Sequence, residues 1–239
     1  MPDMTIDAIP LTSWLWCLRM PLVQAYAVRQ GQGFNLIDTG TAGHEDAILD
    51  ALAGIAGRPA SGIDLHDIVL THGHDDHTGG AAALAARTGA RVLASALDAP
   101  IVEGTQSAPA PQLADWEVPL FEQTSPLVPP APELPVDTRL EEGDRLPWEC
   151  PAEVLAAPGH TPGSIALLFA ESRVLIAGDA IASHEHQPIL GVFNADPRQA
   201  ISSFRKLAAL DVEIACFGHG DPLVTAAGAS LQAAADRLA

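Results

Sequence analysis

Basic side chains are scarce in this chain. Twelve lysines and arginines face 30 aspartates and glutamates, leaving a formal net charge of −18. No basic run interrupts that excess, so a phosphate backbone would be repelled and nucleic acid is not an expected partner. Cysteine is equally sparse. Cys17, Cys150 and Cys216 are odd in number, widely separated and without paired metal spacing, which excludes a disulfide scaffold and a thiolate cluster and implies reduced thiols in apolar surroundings. A long apolar run is also missing. The stretch from Trp14 to Val23 is broken by Arg19 and Pro21, and the N-terminus lacks a basic region followed by an apolar core. The expectation is a cytoplasmic protein with no membrane span.

Apolar residues are not lacking. They make up 48% of 239 residues, ample for a sizeable core. Read along the chain, 6–9, 25–29 and 34–38 are expected strands, with 47–56 a helix closed by Gly57-Arg58-Pro59 and 68–70 a further strand. Ala81 to Arg87 is helical by composition, Arg91 to Ala94 a strand, and Asp98 an expected cap for a short helix begun by Pro100. From Gly104 to Asp137 eight prolines fall in a short span, too many for regular elements, so this stretch is expected to be a surface excursion. Beyond it, strands are expected at 153–157, 164–169, 173–177 and 213–217, with helices at 197–210 and from about Thr225. Two strand-rich halves flanked by helices imply an α/β fold with two sheets face to face and helices outside. The whole chain, 1–239, is expected to be one domain.

The chemistry concentrates at Thr71-His72-Gly73-His74-Asp75-Asp76-His77, three imidazoles and two carboxylates in seven residues. Such density suits a metal site. Mixed imidazole and carboxylate donors favour zinc and iron-class ions over calcium or magnesium. His72 and His74 alternate and can point the same way, whereas Asp76 and His77 lie far enough along the turn to face a second ion. Three later strand ends also carry ligand-type residues beside glycine: Gly159-His160-Thr161-Pro162-Gly163-Ser164, Gly178-Asp179 and Gly218-His219-Gly220. Glycine there lets the backbone approach a ligand closely.

Together these motifs resemble the metallo-β-lactamase-fold superfamily: His-x-His-x-Asp-His at His72 to His77, then His160, Asp179 and His219, with Leu36-Ile37-Asp38-Thr39-Gly40 near the start. The resemblance implies a four-layered αβ/βα sandwich of two mixed sheets with helices on the outer faces. It implies that His72, His74 and His160 bind one divalent metal ion, that Asp76, His77 and His219 bind another, and that Asp179 bridges them, with Asp76 and Asp179 the catalytic carboxylates. Zinc is the default, with iron or manganese also suited. The implied activity is hydrolysis of an ester, lactone or thioester in a small-molecule substrate by a metal-bridging hydroxide.

Within the superfamily, antibiotic hydrolases typically lack an Asp where Asp179 stands, and flavodiiron-type proteins have an acidic residue where His74 stands. The Gly-His-Thr-Pro-Gly segment around His160 is similar to that of glyoxalase-II-like thioesterases and lactonases, although no clear basic substrate-binding tail follows His219. The alternative is an oxidoreductase resembling the persulfide dioxygenases, with one iron. A non-enzymatic metal-sensing module is the third reading. Among supporting residues, Asp38 is suited to orienting a ligand imidazole, Asp75 to a local turn, and Thr161 and Ser164 to fixing the His160 loop. His184 and His186 either line the pocket or stand exposed, His44 and His66 are expected at the surface, and Trp14-Leu15-Trp16 suit either a pocket wall or a core edge.

Overall fold

A computed structural model describes residues 6–238. The first sheet runs in simple order through β1 (Asp7–Pro10), β2 (Leu15–Arg19), β3 (Gln24–Gln30), β4 (Gly33–Ile37), β5 (Leu65–Leu70), β6 (Arg91–Ser95) and β7 (Thr138–Leu140). Its first four strands are antiparallel and β4 to β7 are parallel. Between them lie α1 (Glu45–Ala56), the single turn α2 (Asp75–Thr78), α3 (Ala81–Thr88), the short α4 (Ala99–Val102) and α5 (Glu117–Thr124). The second sheet contains β8 (Arg145–Leu146), β9 (Ala152–Ala156), β10 (Ile165–Phe169), β11 (Val174–Ile176) and β14 (Ile214–Cys216). A separate hairpin pairs β12 (Ile181–His184) with β13 (Gln187–Leu190), and α6 (Pro197–Ala208) and α7 (Ala227–Ala235) complete the chain.

Strand alternation sorts the apolar residues into three cores. On β5, Ile68 and Leu70 face outward onto α1 and α3 while Val69 faces the other sheet; on β10, Ile165, Leu167 and Phe169 face inward and Ala166 outward. Three contiguous layers of burial follow, beneath α1 and α3, between the sheets, and beneath α6 and α7. The expected four-layered sandwich is the fold observed.

Several elements depart from expectation. β2 was not anticipated because Leu15 and Cys17 enter the inter-sheet core while Leu18 enters the outer one, and burial on both faces erases polar alternation. Trp14 packs tilted against Phe169 at 5.0 Å and Trp16 meets Phe34 edge to face at 6.1 Å, so that tripeptide covers core edges. The proline-rich excursion does contain a helix, α5, followed by a tight turn at Ser125–Leu127. Pro119 sits in the first turn of α5, where a missing N–H costs nothing. His44 is not a surface residue: it is buried, its Nδ1 paired with the Thr41 hydroxyl at 2.8 Å. His66, His184 and His186 are exposed.

The three thiols are free, Cys17 and Cys216 buried. Burial pushes the Cys17 thiol up to about 12 and that of Cys216 well above its ordinary range, so neither is a nucleophile at neutral pH. No helix among the described residues is long and apolar enough to cross a membrane.

Candidate metal centre

The parallel strands β4 and β5 deliver the first donors. Asp38, immediately after β4, has φ +59°, a left-handed conformation that turns its carboxylate across to β5. One oxygen accepts the Thr71 N–H at 2.8 Å; the other accepts the Thr71 hydroxyl at 2.8 Å and the His77 Nδ1–H at 2.9 Å. The expected hydrogen bond of Asp38 to an imidazole of the cluster is thus present. A proton on Nδ1 leaves His77 Nε2 facing inward. The same device recurs on the other sheet: the His160 Nδ1–H donates to the Val192 carbonyl at 3.0 Å, and the His219 Nδ1–H to the Leu22 carbonyl at 2.7 Å. Three imidazoles are anchored from behind and aimed at one point.

All seven residues singled out from the sequence fall into three overlapping groups of donors. Donor atoms of His72, His74 and His160 lie within 4.8 Å of one another, as do those of His72, His77 and Asp179, and those of Asp76, His77 and His219. The Asp179 carboxylate stands 3.3 Å from His77 Nε2, 3.1 Å from His219 Nε2, 3.4 Å from His160 Nε2 and 4.0 Å from His72 Nε2. His160 Nε2 and His74 Nδ1 face each other at 2.9 Å. His72, His77, His160 and Asp179 are buried, whereas His74, Asp76 and His219 are half-buried, so the cluster opens on one side.

Among the described residues, buried His72 Nε2, His77 Nε2 and Asp179 Oδ1 have no hydrogen-bond partner. Orphaned donors and acceptors are costly inside a protein. Divalent cations among these donors would satisfy all three, and the donor set of imidazole with carboxylate is one such cations accept. The residues present therefore fit the metals that the motif implies.

Sequence reasoning missed the residue that joins the two ligand loops. Asp98 was expected to cap α4; its side chain makes no cap hydrogen bond. It is fully buried, accepts the Gly73 N–H at 2.8 Å and the Thr161 hydroxyl at 2.6 Å on one oxygen, and accepts the Gly163 N–H at 2.8 Å on the other. Thr161 and Ser164 close that loop through their hydroxyls at 2.8 Å. Behind His219, Tyr26 bonds both the carbonyl and the N–H of Phe217, at 2.7 and 3.0 Å, and Gln24 reaches Gly220. Asp75 is exposed and accepts the Ala131 N–H at 3.1 Å. No local motif marks Asp98, Gln24 or Tyr26, because their partners are remote in the chain.

Burial and mutual repulsion divide the imidazoles into two electrostatic classes. Burial, then neighbouring imidazoles, holds His72 well below the ordinary histidine range; burial also lowers His74 and takes His160 to about 3. Burial would lower His77 and His219 too, but Asp179 leads the carboxylates that outweigh it, raising His77 well above that range and His219 to about 10. Burial works against ionised Asp76 and Asp179, yet His77 and His219 bring Asp76 down to about 2 and Asp179 well below the carboxylate range. In chelator-treated protein at neutral pH, His77 and His219 should thus carry protons that a metal must displace. Zinc titration at pH 7.5 in buffers of different ionisation heat should register release of roughly two protons per chain; release of none would remove this picture. The linked stability has a definite sign. The His219 contribution is full below about 6.5 and lost as pH rises through about 10; that of Asp76 is present above about 4 and lost as pH falls through about 2.

A family model described as the metallo-beta-lactamase superfamily matches residues 21–219. The chain belongs to that superfamily. It is 32% identical over 187 residues to the probable metallo-hydrolase YflN of Bacillus subtilis, covering 70% of this chain and 68% of that protein. A hydroxyacylglutathione hydrolase of Cereibacter sphaeroides is 34% identical over 160 residues, covering 65% of this chain and 48% of that one. The chain therefore spans about half the length of that relative. Among solved structures, the protein TTHA1623 in a di-iron-bound form superposes with a TM-score of 0.62 at 32% identity, covering 85% of this chain and 91% of that one. The expectation of a hydrolase-type enzyme stands with these superfamily relatives.

Proposed function

We propose that this superfamily member is a dinuclear metal-dependent hydrolase that cleaves an ester, lactone or thioester bond in a small molecule, the whole chain acting as one domain. His72, His74 and His160 would hold one divalent cation, and Asp76, His77 and His219 the second, with Asp179 reaching both. The observation that carries this reading is the set of three orphaned buried atoms, on His72, His77 and Asp179, lying within overlapping groups of donors. Zinc is the default ion, and iron or manganese suits the same donors. Bound there, such ions supply Lewis acidity that ionises water near neutral pH and polarises a carbonyl.

The chain's own residues supply the rest. Asp38, Val192 and Leu22 hold His77, His160 and His219 with Nε2 inward. Asp76 and Asp179 present carboxylate oxygens 3.4 and 3.1 Å from His219 Nε2, acceptors suited to holding the protons of an attacking water. The half-buried His74, Asp76 and His219 form the open side through which substrate would enter, which favours catalysis over a closed structural or sensing site. A thioester is the bond type suggested by the hydroxyacylglutathione hydrolase relatives.

Metal analysis of untreated protein, followed by a neutral-pH screen of lactones, esters, thioesters including a hydroxyacylglutathione, and phosphodiesters, tests the reading. About two metal ions per chain with turnover of an acyl substrate is the expected result. One iron with oxygen consumption would replace it with the dioxygenase alternative. A fully loaded protein inert to the panel would overturn hydrolysis.

A further inference from the structure

The segment between Gly104 and Asp137 has no part in the reading above, yet a buried carboxylate ties it to the loop behind the candidate centre. Glu117, the first residue of α5, is buried, an uncommon place for glutamate that demands strong partners. It has two. One oxygen accepts the Ala114 N–H at 2.8 Å and shapes the entry to α5; the other accepts the Phe193 N–H at 2.9 Å, far along the chain. Gln112 reinforces the grip, its backbone N–H donating to the Asn194 carbonyl at 2.8 Å and its side-chain amide to the Ala195 carbonyl at 2.7 Å. Phe121 of α5 meets Phe193 edge to face at 5.1 Å.

The gripped loop, 191–195, is strained and adjoins two of the candidate ligands. Phe193 has φ +61°, a conformation that a bulky residue keeps only when its surroundings impose it. On one side of it the Val192 carbonyl accepts the His160 Nδ1–H at 3.0 Å; on the other the Ala195 N–H donates to the His160 carbonyl at 3.1 Å. Gly191 lies so close to the Asp179 carbonyl that a Cβ there would overlap it.

We propose that Glu117 is a positioning residue: by holding Phe193 it sets the Val192 carbonyl that aims His160, so the proline-rich excursion governs the affinity of one half of the metal centre. The proposal rests on His160 being a ligand. Freed from Glu117, Phe193 relaxes towards ordinary backbone angles, the Val192 carbonyl turns, and His160 Nε2 leaves its place beside His74 and Asp179. The chain of causes is carboxylate to N–H, carbonyl to imidazole, and each contact reorients the next.

Full-length wild type and the variants Glu117→Ala, Glu117→Gln and His160→Ala, all chelator-treated, are titrated with zinc against a chromophoric competitor that resolves two affinities, and with cobalt followed by its visible absorption. Glu117→Ala is expected to weaken one metal equivalent by about 10- to 100-fold and leave the other within about threefold, the range for groups that orient a ligand from behind. Glu117→Gln, which keeps one accepting oxygen, is expected to weaken the same equivalent by roughly 3- to 10-fold, and the cobalt band of that equivalent alone should shift. Unchanged affinities in either variant would overturn the proposal, as would both affinities falling together with the melting temperature, the mark of a merely structural contact. Should Glu117→Ala fail to fold, Glu117→Gln decides alone. His160→Ala separates the two layers: loss of one equivalent there with none lost in the Glu117 variants refutes the clasp only, whereas wild-type affinities in His160→Ala refute the ligand reading and the clasp with it.

Discussion

Asp179→Ala is expected to lower kcat/KM on an acyl substrate by more than about 100-fold, beyond the 10- to 100-fold range of residues that act behind a ligand, and to cost the protein at least one of its metal equivalents. The reason is positional. Asp179 is the side chain whose carboxylate lies within 4.0 Å of nitrogens on four imidazoles, His72, His77, His160 and His219, and it supplies negative charge where two cations would meet. Asp179→Asn keeps the shape and discards the charge, so it should resemble the alanine variant and not the wild type. Steady-state kinetics on samples whose metal has been counted by elemental analysis provides the check. A variant that keeps both metals and full turnover would end the bridging role. The same substitution removes the leading partner that raises His77 and His219, so in chelator-treated protein both imidazoles should titrate at lower pH, readable by NMR.

The second large effect is expected from Asp98→Ala, a residue outside the ligand set. Removing the carboxylate strands the buried N–H groups of Gly73 and Gly163 and leaves the buried Thr161 hydroxyl with Ser164 as its partner. At about 1–3 kcal/mol for each of the two stranded N–H groups, the loss should reach roughly 2–6 kcal/mol, a large share of the about 5–15 kcal/mol that holds a typical domain folded. Urea unfolding of chelator-treated protein measures it. Because Gly73 lies between His72 and His74 and Gly163 closes the loop of His160, zinc affinity should fall as well, by about 10- to 100-fold. An unaltered urea midpoint would show that the two N–H groups find other partners.

The contrast between Asp98 and Asp38 shows which parts of the site are legible in sequence. Asp38 terminates an apolar strand run, Leu36-Ile37, and a polar residue at that position stands out locally. Asp98 and Glu117 look like ordinary polar residues at helix starts, and their carboxylates are given meaning by backbone N–H groups distant along the chain. Backbone groups carry no residue identity, so no pattern could announce them. Secondary structure divides the same way. β3, β4, β5, β9, β10 and α6 are readable because apolar spacing and caps are local; the Asp196 side chain, for example, accepts from the N–H groups of Arg198 and Gln199 at 3.0 Å before Pro197 opens the helix. β7, β8 and the β12–β13 hairpin are short and partly exposed, and their existence depends on neighbours already in place.

By itself, then, the amino-acid order settled the inventory: which imidazoles and carboxylates could bind a cation, that they stand at the ends of apolar strands beside glycine, and that alternating strands and helices would build a layered α/β sandwich. Tertiary structure alone decided that those donors meet. His74 and His160, separated by 86 residues, come to 2.9 Å because strand ends from two facing sheets open on one edge of the sandwich. Their orientation is likewise tertiary, set by the carbonyls of Leu22 and Val192 and the carboxylate of Asp38 behind the rings. A hydrogen bond to a distant backbone carbonyl fixes where an imidazole lone pair points, and that is a property of folded geometry.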